Sequence, residues 1–187
     1  MLLLLLLACN PGDDAATGNL EAATWAPPWA THVLYRQVEA TSPTEIASSL
    51  DTGAEPGETL SAWLEPEGNT VRFLLVEGTD RDAGTSLLDF TLRTAPDIAV
   101  TGSYDPAVVL LPRTFSDGDA AESGAFHAGL TYLDTVQTWY GTFAGVAEVS
   151  ITGPEGDPLV GQVRFGPGVG PIQFVWGGVG ADLVWYE

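Results

Sequence analysis

Three observations predict an all-β domain, built as a single antiparallel β-sandwich with one short helix, or alternatively as a closed β-barrel. Apolar and polar residues alternate with period two along several segments, as in sheets with one packed and one wet face. These segments are short and separated by turns rich in Gly, Pro and Asp. Strands do not alternate with helical stretches in the βαβ manner, so antiparallel pairing is expected.

The elements follow in chain order. Residues 2–8 are an unbroken apolar run ending at Cys9, the only cysteine. A bilayer-crossing helix needs about 20 apolar residues. This run meets Asn10, Pro11, Asp13 and Asp14 too soon to span. An N-terminal strand with a buried thiol fits poorly, because consecutive leucines have no period-2 pattern.

Leu6-Leu7-Ala8-Cys9 places a leucine three residues before the cysteine and a small residue directly before it. In this it resembles the lipobox of bacterial lipoprotein signals, a likeness confined to residues 1–9. The resemblance implies a signal peptide over residues 1–8, cleavage before Cys9 and a diacylglycerol on its sulfur. More than one acyl chain (palmitate or similar), each worth about 0.8 kcal/mol per buried CH₂, would hold the protein to a membrane. The basic residues that open such signals are missing, and a start upstream of Met1 would supply them. Asn10 stands where some lipoproteins carry an Asp that retains them in the inner membrane. The resemblance therefore favours the outer membrane of the cell envelope.

Residues 9–30 read as the lipidated cysteine and a flexible tether, since residues 10–18 have no periodic apolar face. Trp25, Pro27, Pro28 and Trp29 are expected to dock the tether on the body, with a ligand surface as the other use. The body is expected over residues 31–187. Ser42-Pro43-Thr44-Glu45 combines a capping-box pair with Pro at the first helical position. Ile46, Ala47 and Leu50 give that helix an apolar side, and Gly53 lies just past its end.

Residues 60–64 and 71–76 flank a turn-rich connection and predict a hairpin. In residues 85–93, Leu88, Phe90 and Leu92 face one way and Asp89, Thr91 and Arg93 the other. Residues 126–132 repeat this, with Phe126, Ala128, Leu130 and Tyr132 against His127, Gly129 and Thr131. Further strands carry Phe143, Ala147, Val149 and Ile151, then Leu159, Val163 and Phe165, then Ile172, Phe174 and Trp176, and finally Leu183 and Trp185. The last third reads as an up-and-down meander. Residues 71–76 and 108–111 are apolar on both faces, which predicts central strands.

A chain of 187 residues without a composition break predicts one domain. That size can bury a core without metals or disulfides, and Cys9 has no internal partner. The net charge is −19, from 25 acidic residues against six arginines and no lysine. The positive footprint of a nucleic-acid binder is missing, and direct attraction to anionic lipid is not expected. The acidity reads as solubility and self-repulsion.

Little in the chain points to catalysis, and no catalytic residue is assigned. The two histidines are His32 and His127. No G-x-S-x-G elbow, H-E-x-x-H motif or Cys/His metal spacing occurs. Ser123 lies near His127 in sequence, but a dyad is recognised by geometry. A glycosidase needs two carboxylates across a cleft, and 25 acidic residues make some such pair inevitable.

Calcium is the sharper metal hypothesis. Asp117, Asp119 and Glu122 offer oxygens in one loop, and Glu77, Asp80 and Asp82 in another. Neither loop has the EF-hand pattern, so solvated turns without a cofactor are the simpler reading. Trp139-Tyr140, Trp176 and Trp185-Tyr186 are candidates for stacking on sugars or anchoring a protein partner, or for ordinary core packing.

The reading that follows is a membrane-anchored, non-enzymatic lipoprotein whose β domain binds a partner or serves an envelope structural role. One alternative is a small hydrophobic ligand carrier of calycin-like barrel type, with a cavity lined by Phe90, Phe143, Phe165 and Phe174. Another is a hydrolase using His127 or a carboxylate pair.

Overall fold

The computed structural model describes residues 20–27, 29–46 and 57–187. The chain opens with β1 (Leu20–Glu21) and a 3-10 turn (Ala22–Trp25), followed by β2 (His32–Gln37) and helix α1, helical over residues 43–46. A first meander comprises β3 (Thr59–Glu67), β4 (Thr70–Glu77), β5 (Ser86–Arg93), β6 (Ile98–Thr101) and β7 (Val108–Leu111). After β8 (Thr114–Phe115) and β9 (Ala120–Ser123) come the two longest strands, β10 (Phe126–Gln137) and β11 (Thr142–Thr152). The chain ends with β12 (Gly161–Gly166), β13 (Gly170–Trp176) and β14 (Val179–Tyr186).

Twelve of these strands form one antiparallel sheet in the order β7-β6-β5-β4-β3-β2-β14-β13-β12-β11-β10-β9. Two meanders are thus joined where β14 pairs with β2. The sheet curls until β7 and β9 meet, and the Val109 N–H donates to Ser123 Oγ across the seam at 3.0 Å. Of the two forms the sequence left open, sandwich and barrel, the fold takes the nearly closed barrel. One continuous sheet with short turns coils back on itself rather than splitting into two layers.

Register explains the core. Inward residues face inward residues across successive junctions: Val33 opposite Ala62, Leu64 opposite Phe73, Phe73 opposite Phe90, and Leu92 opposite Val100. The other meander repeats this with Leu130 opposite Val149, Val163 opposite Phe174, and Leu183 opposite Tyr35. Aromatic rings fill the middle: Phe90 and Trp176 are 4.7 Å apart, Tyr35 and Phe174 5.2 Å, and Phe73 and Phe174 6.0 Å. Arg72, Asp89 and Glu148 stand on the outer face. An apolar inside and charged outside is the reverse of a membrane-spanning barrel.

Residues 20–27, 29 and 30 close one end of the barrel, so the described body begins upstream of residue 31. Leu20 pairs with Phe115, and Trp25 and Trp29 are buried. The Trp25 indole N–H donates to the Gly145 carbonyl at 2.8 Å, and the Trp29 indole N–H to the Trp25 carbonyl. Pro28, Ala47, Leu50 and Gly53 lie outside the described residues. The capping pair forms as expected: Ser42 Oγ accepts the Glu45 N–H, and Glu45 reaches back to the Thr41 N–H and hydroxyl.

Two strand expectations need correction. Residues 108–111 form β7, which ends the sheet order rather than sitting in its middle. Its apolar residues are covered because β9, β10 and β11 approach across the seam. On the last strand, Leu183 points inward but Trp185 points out, because a bulge between them reverses the alternation.

Candidate functional site

The outer face carries a polar row that runs straight across five neighbouring strands. Arg36 on β2, Asp182 on β14, Gln173 on β13, Arg164 on β12 and Glu148 on β11 are successive register partners. Arg36 Nε lies 3.4 Å from Asp182 Oδ2. Gln173 Nε2 donates to Asp182 Oδ1 at 2.8 Å, Arg164 Nη1 to Gln173 Oε1 at 2.9 Å, and Arg164 Nε to Glu148 Oε2 at 2.7 Å. Two cations and two anions balance with a glutamine in the middle. Burial pushes the Asp182 carboxyl above the ordinary carboxylate range, against the opposing pull of the Gln173, Trp139 and Arg36 donors.

The row is covered because two segments are fastened over it. Pro43 of α1 presents its carbonyl to Arg164 Nη1 at 3.3 Å. The tip of the β10–β11 hairpin folds across from the other side. Trp139 N–H donates to Asp182 Oδ2 at 3.0 Å, Tyr140 N–H to the Leu183 carbonyl at 2.9 Å, and Gln173 Nε2 to the Gln137 carbonyl at 2.9 Å. The Trp139 ring lies 4.3 Å over the Arg36 guanidinium. The strands of this hairpin extend beyond their pairing with β12, which stops at Ala147. Gly145, at φ +66, gives the long arm its bend.

The arm brings aromatic rings to the surface. Trp139, Tyr140 and Trp185 are 48%, 50% and 39% exposed. Tyr140 lies 4.9 Å from Tyr186 and 6.2 Å from Phe143. His32 stacks on Trp63 at 3.9 Å and meets the Trp185 edge at 5.8 Å. Trp176, the remaining aromatic singled out from the sequence, is core. A separate apolar recess of about 330 Å³ opens at the plugged end, lined by Pro27, Trp29, Ala30, Leu64, Pro66 and Val71 among others.

The residues proposed from the sequence are placed as follows. Asp117 Oδ1 accepts the Tyr132 N–H at 2.8 Å, and Asp119 Oδ2 the Ser116 N–H at 2.7 Å. Glu122 instead pairs with His127 Nδ1 at 2.6 Å across the β9–β10 hairpin. The three candidate calcium ligands therefore do not converge. In the second loop, Asp80 caps the Asp82 and Ala83 N–H groups while Arg81 pairs with Glu65. Among the described residues, no group of three or more His, Cys, Asp or Glu side chains is arranged to hold a metal.

Ser123 Oγ serves the seam, and His127 is an exposed partner of Glu122, so the two do not form a dyad. Phe90, Phe165 and Phe174 enter the packed interior, whereas Phe143 sits with Tyr140 and Tyr186. The four phenylalanines thus do not line a common space. Cys9 lies outside the described residues.

The alternation of β11 and β12 puts Glu148 and Arg164 on polar faces, but it does not show that they pair, nor the rest of the row. A charged residue flanked by inward apolar ones, as Asp182 is by Ala181 and Leu183, is the signal that would have found it. No family model matches the chain, and neither a curated protein nor a solved structure is detectably similar to it.

Proposed function

We propose that this protein is a lipid-anchored, non-enzymatic β-barrel of the bacterial envelope that binds a partner through its surface. The observation that carries the reading is Leu6-Leu7-Ala8-Cys9, a lone thiol behind an apolar leader too short to span a bilayer. The engaged state of the would-be catalytic groups supports the non-enzymatic part. His127 is an exposed partner of Glu122, and Ser123 is committed to the seam. The identity of the residue after the cysteine, Asn10, favours the outer membrane.

Mass spectrometry of the mature N-terminus, with membrane fractionation of a Cys9→Ala variant, tests this. A diacylated Cys9 and release of the variant into the soluble fraction are expected. A bare thiol, or unchanged partitioning, defeats the reading.

The recess beside Trp29 favours a second reading, a carrier for a small apolar ligand seated at the barrel's end rather than in its middle. Titration with a fluorescent apolar probe, repeated in Val71→Trp, tests it. Equal binding by the two proteins would remove it.

A further inference from the structure

Trp139, Tyr140 and Trp185 are the exposed large hydrophobics of the described residues, and each carries a polar N–H or O–H. Tyr140 adjoins Phe143 and Tyr186, its N–H bonds the Leu183 carbonyl two residues before Trp185, and Trp139 precedes it at the arm's tip. In a chain of net charge −19, no charged residue falls between Asp134 and Glu148, so the arm bearing most of these rings is neutral.

The location of this surface relative to the N-terminal segment matters as much as its composition. The base of the arm receives the Trp25 indole at the Gly145 carbonyl. Tyr186 is followed by Glu187, whose carbonyl accepts the Thr31 N–H. Leu20, where the described chain begins, pairs with Phe115, whose ring meets Trp25 at 5.6 Å. The N-terminal plug, the C-terminal strand end and the base of the aromatic arm therefore share one end of the barrel, and the arm's tip lies back along the adjoining wall over Arg36 and Asp182. Fully extended, the chain from Cys9 to Leu20 spans at most about 40 Å, at about 3.3–3.6 Å per residue. An acyl chain at Cys9 keeps this end of the barrel within that reach of a bilayer. Trp and Tyr settle at the headgroup level of membranes.

We propose that the arm tip and Trp185 form an interfacial anchor, resting in the headgroup layer of the membrane with the barrel wall beside the plugged end toward the lipid. The occupant of the aromatic surface is then lipid of zwitterionic character, from which the acidic remainder of the body is held away. This rests on the acylation of Cys9 proposed above, and it can fail while that acylation stands.

Because Cys9 is the sole thiol, the purified full chain can be coupled through it to a maleimide lipid in phosphatidylcholine vesicles. Vesicles containing acyl chains brominated near the headgroup should quench part of the tryptophan fluorescence. Trp139→Phe/Trp185→Phe should lose most of that quenching, while Trp25, Trp29 and Trp176 stay shielded in the core and half-buried Trp63, stacked under His32, leaves a residual signal. Equal fluorescence in brominated and plain vesicles, or quenching unchanged in the double variant, overturns the interfacial anchor and leaves acylation standing. A bare Cys9 in the mature protein, read by mass, overturns the acylation and this inference with it.

Discussion

Trp176 is where the two meanders meet in the interior. Its ring contacts Phe90 and Phe73, and its indole N–H donates to the Leu159 carbonyl at 2.8 Å with no exposure to solvent. Trp176→Ala removes that ring and leaves the Leu159 carbonyl without its donor. A loss of about 3–5 kcal/mol in urea unfolding is expected. Asp182 makes a different point. Its carboxyl is raised by burial, so the folded state holds its proton at pH values where the unfolded carboxyl, near 3.9, has released it. Its contribution to stability therefore falls as pH rises through that window. Subtracting the pH profile of Asp182→Asn from that of the wild type should isolate this negative slope. Asp89 has the opposite sign, because the Arg72 guanidinium bonded to it lowers its pKa. The stability it contributes is lost as pH falls through the lowered value, and it is small because the pair is solvent-screened. Asp182→Asn keeps one acceptor oxygen, whereas Asp182→Ala strands the Trp139 N–H and the Gln173 amide. The alanine variant should be the costlier of the two, by about 1–3 kcal/mol per stranded donor.

Elements were legible where their cause is local. The alternation of Leu88, Phe90 and Leu92 sets the inward face of β5, and Ser42 with Glu45 caps α1. Both depend on neighbours within a few residues. The arm escaped because nothing in residues 133–146 alternates cleanly, and its course depends on a bend at Gly145 that a sequence pattern does not encode. The Trp185 reversal escaped for the same reason, a single bulge shifting the register. The polar row needed the register of five strands at once, and only the Glu148 and Arg164 positions could be read as polar-faced. The arm's dependence on one backbone angle is testable. Gly145→Val would force a branched side chain into the left-handed region, at a cost of about 1–2 kcal/mol or more. The Gly145 carbonyl also holds Trp25, so the variant should loosen both arm and plug. Faster hydrogen exchange in residues 137–145 and at the Trp25 indole, with the β3–β5 amides unchanged, is the expected signature.

At the scale of the whole molecule, the order of the sheet separates what local pattern can specify from what it cannot. Hairpin neighbours follow from turn chemistry, but the β14–β2 pairing joins the two ends of the chain and the β7–β9 seam decides between an open sheet and a barrel. Open sheets end in rows of unpaired N–H and C=O groups that invite a second chain. Here the Ser123 hydroxyl lends β9 a side-chain acceptor for the Val109 N–H, where β7 would otherwise present an edge. Ser123 is buried, so water does not readily replace it. Ser123→Ala leaves that donor unpaired at a cost of about 1–3 kcal/mol. The consequence should be directional: faster exchange at Val109 and through β7 and β9, little change around β14 and β2, and concentration-dependent association as the edges part. Sedimentation velocity of the variant, beside site-resolved exchange, measures both. If Val109 exchanges no faster and the variant associates no more than the wild type, the seam is held by side-chain packing across it, and the hydroxyl bond is incidental to closure.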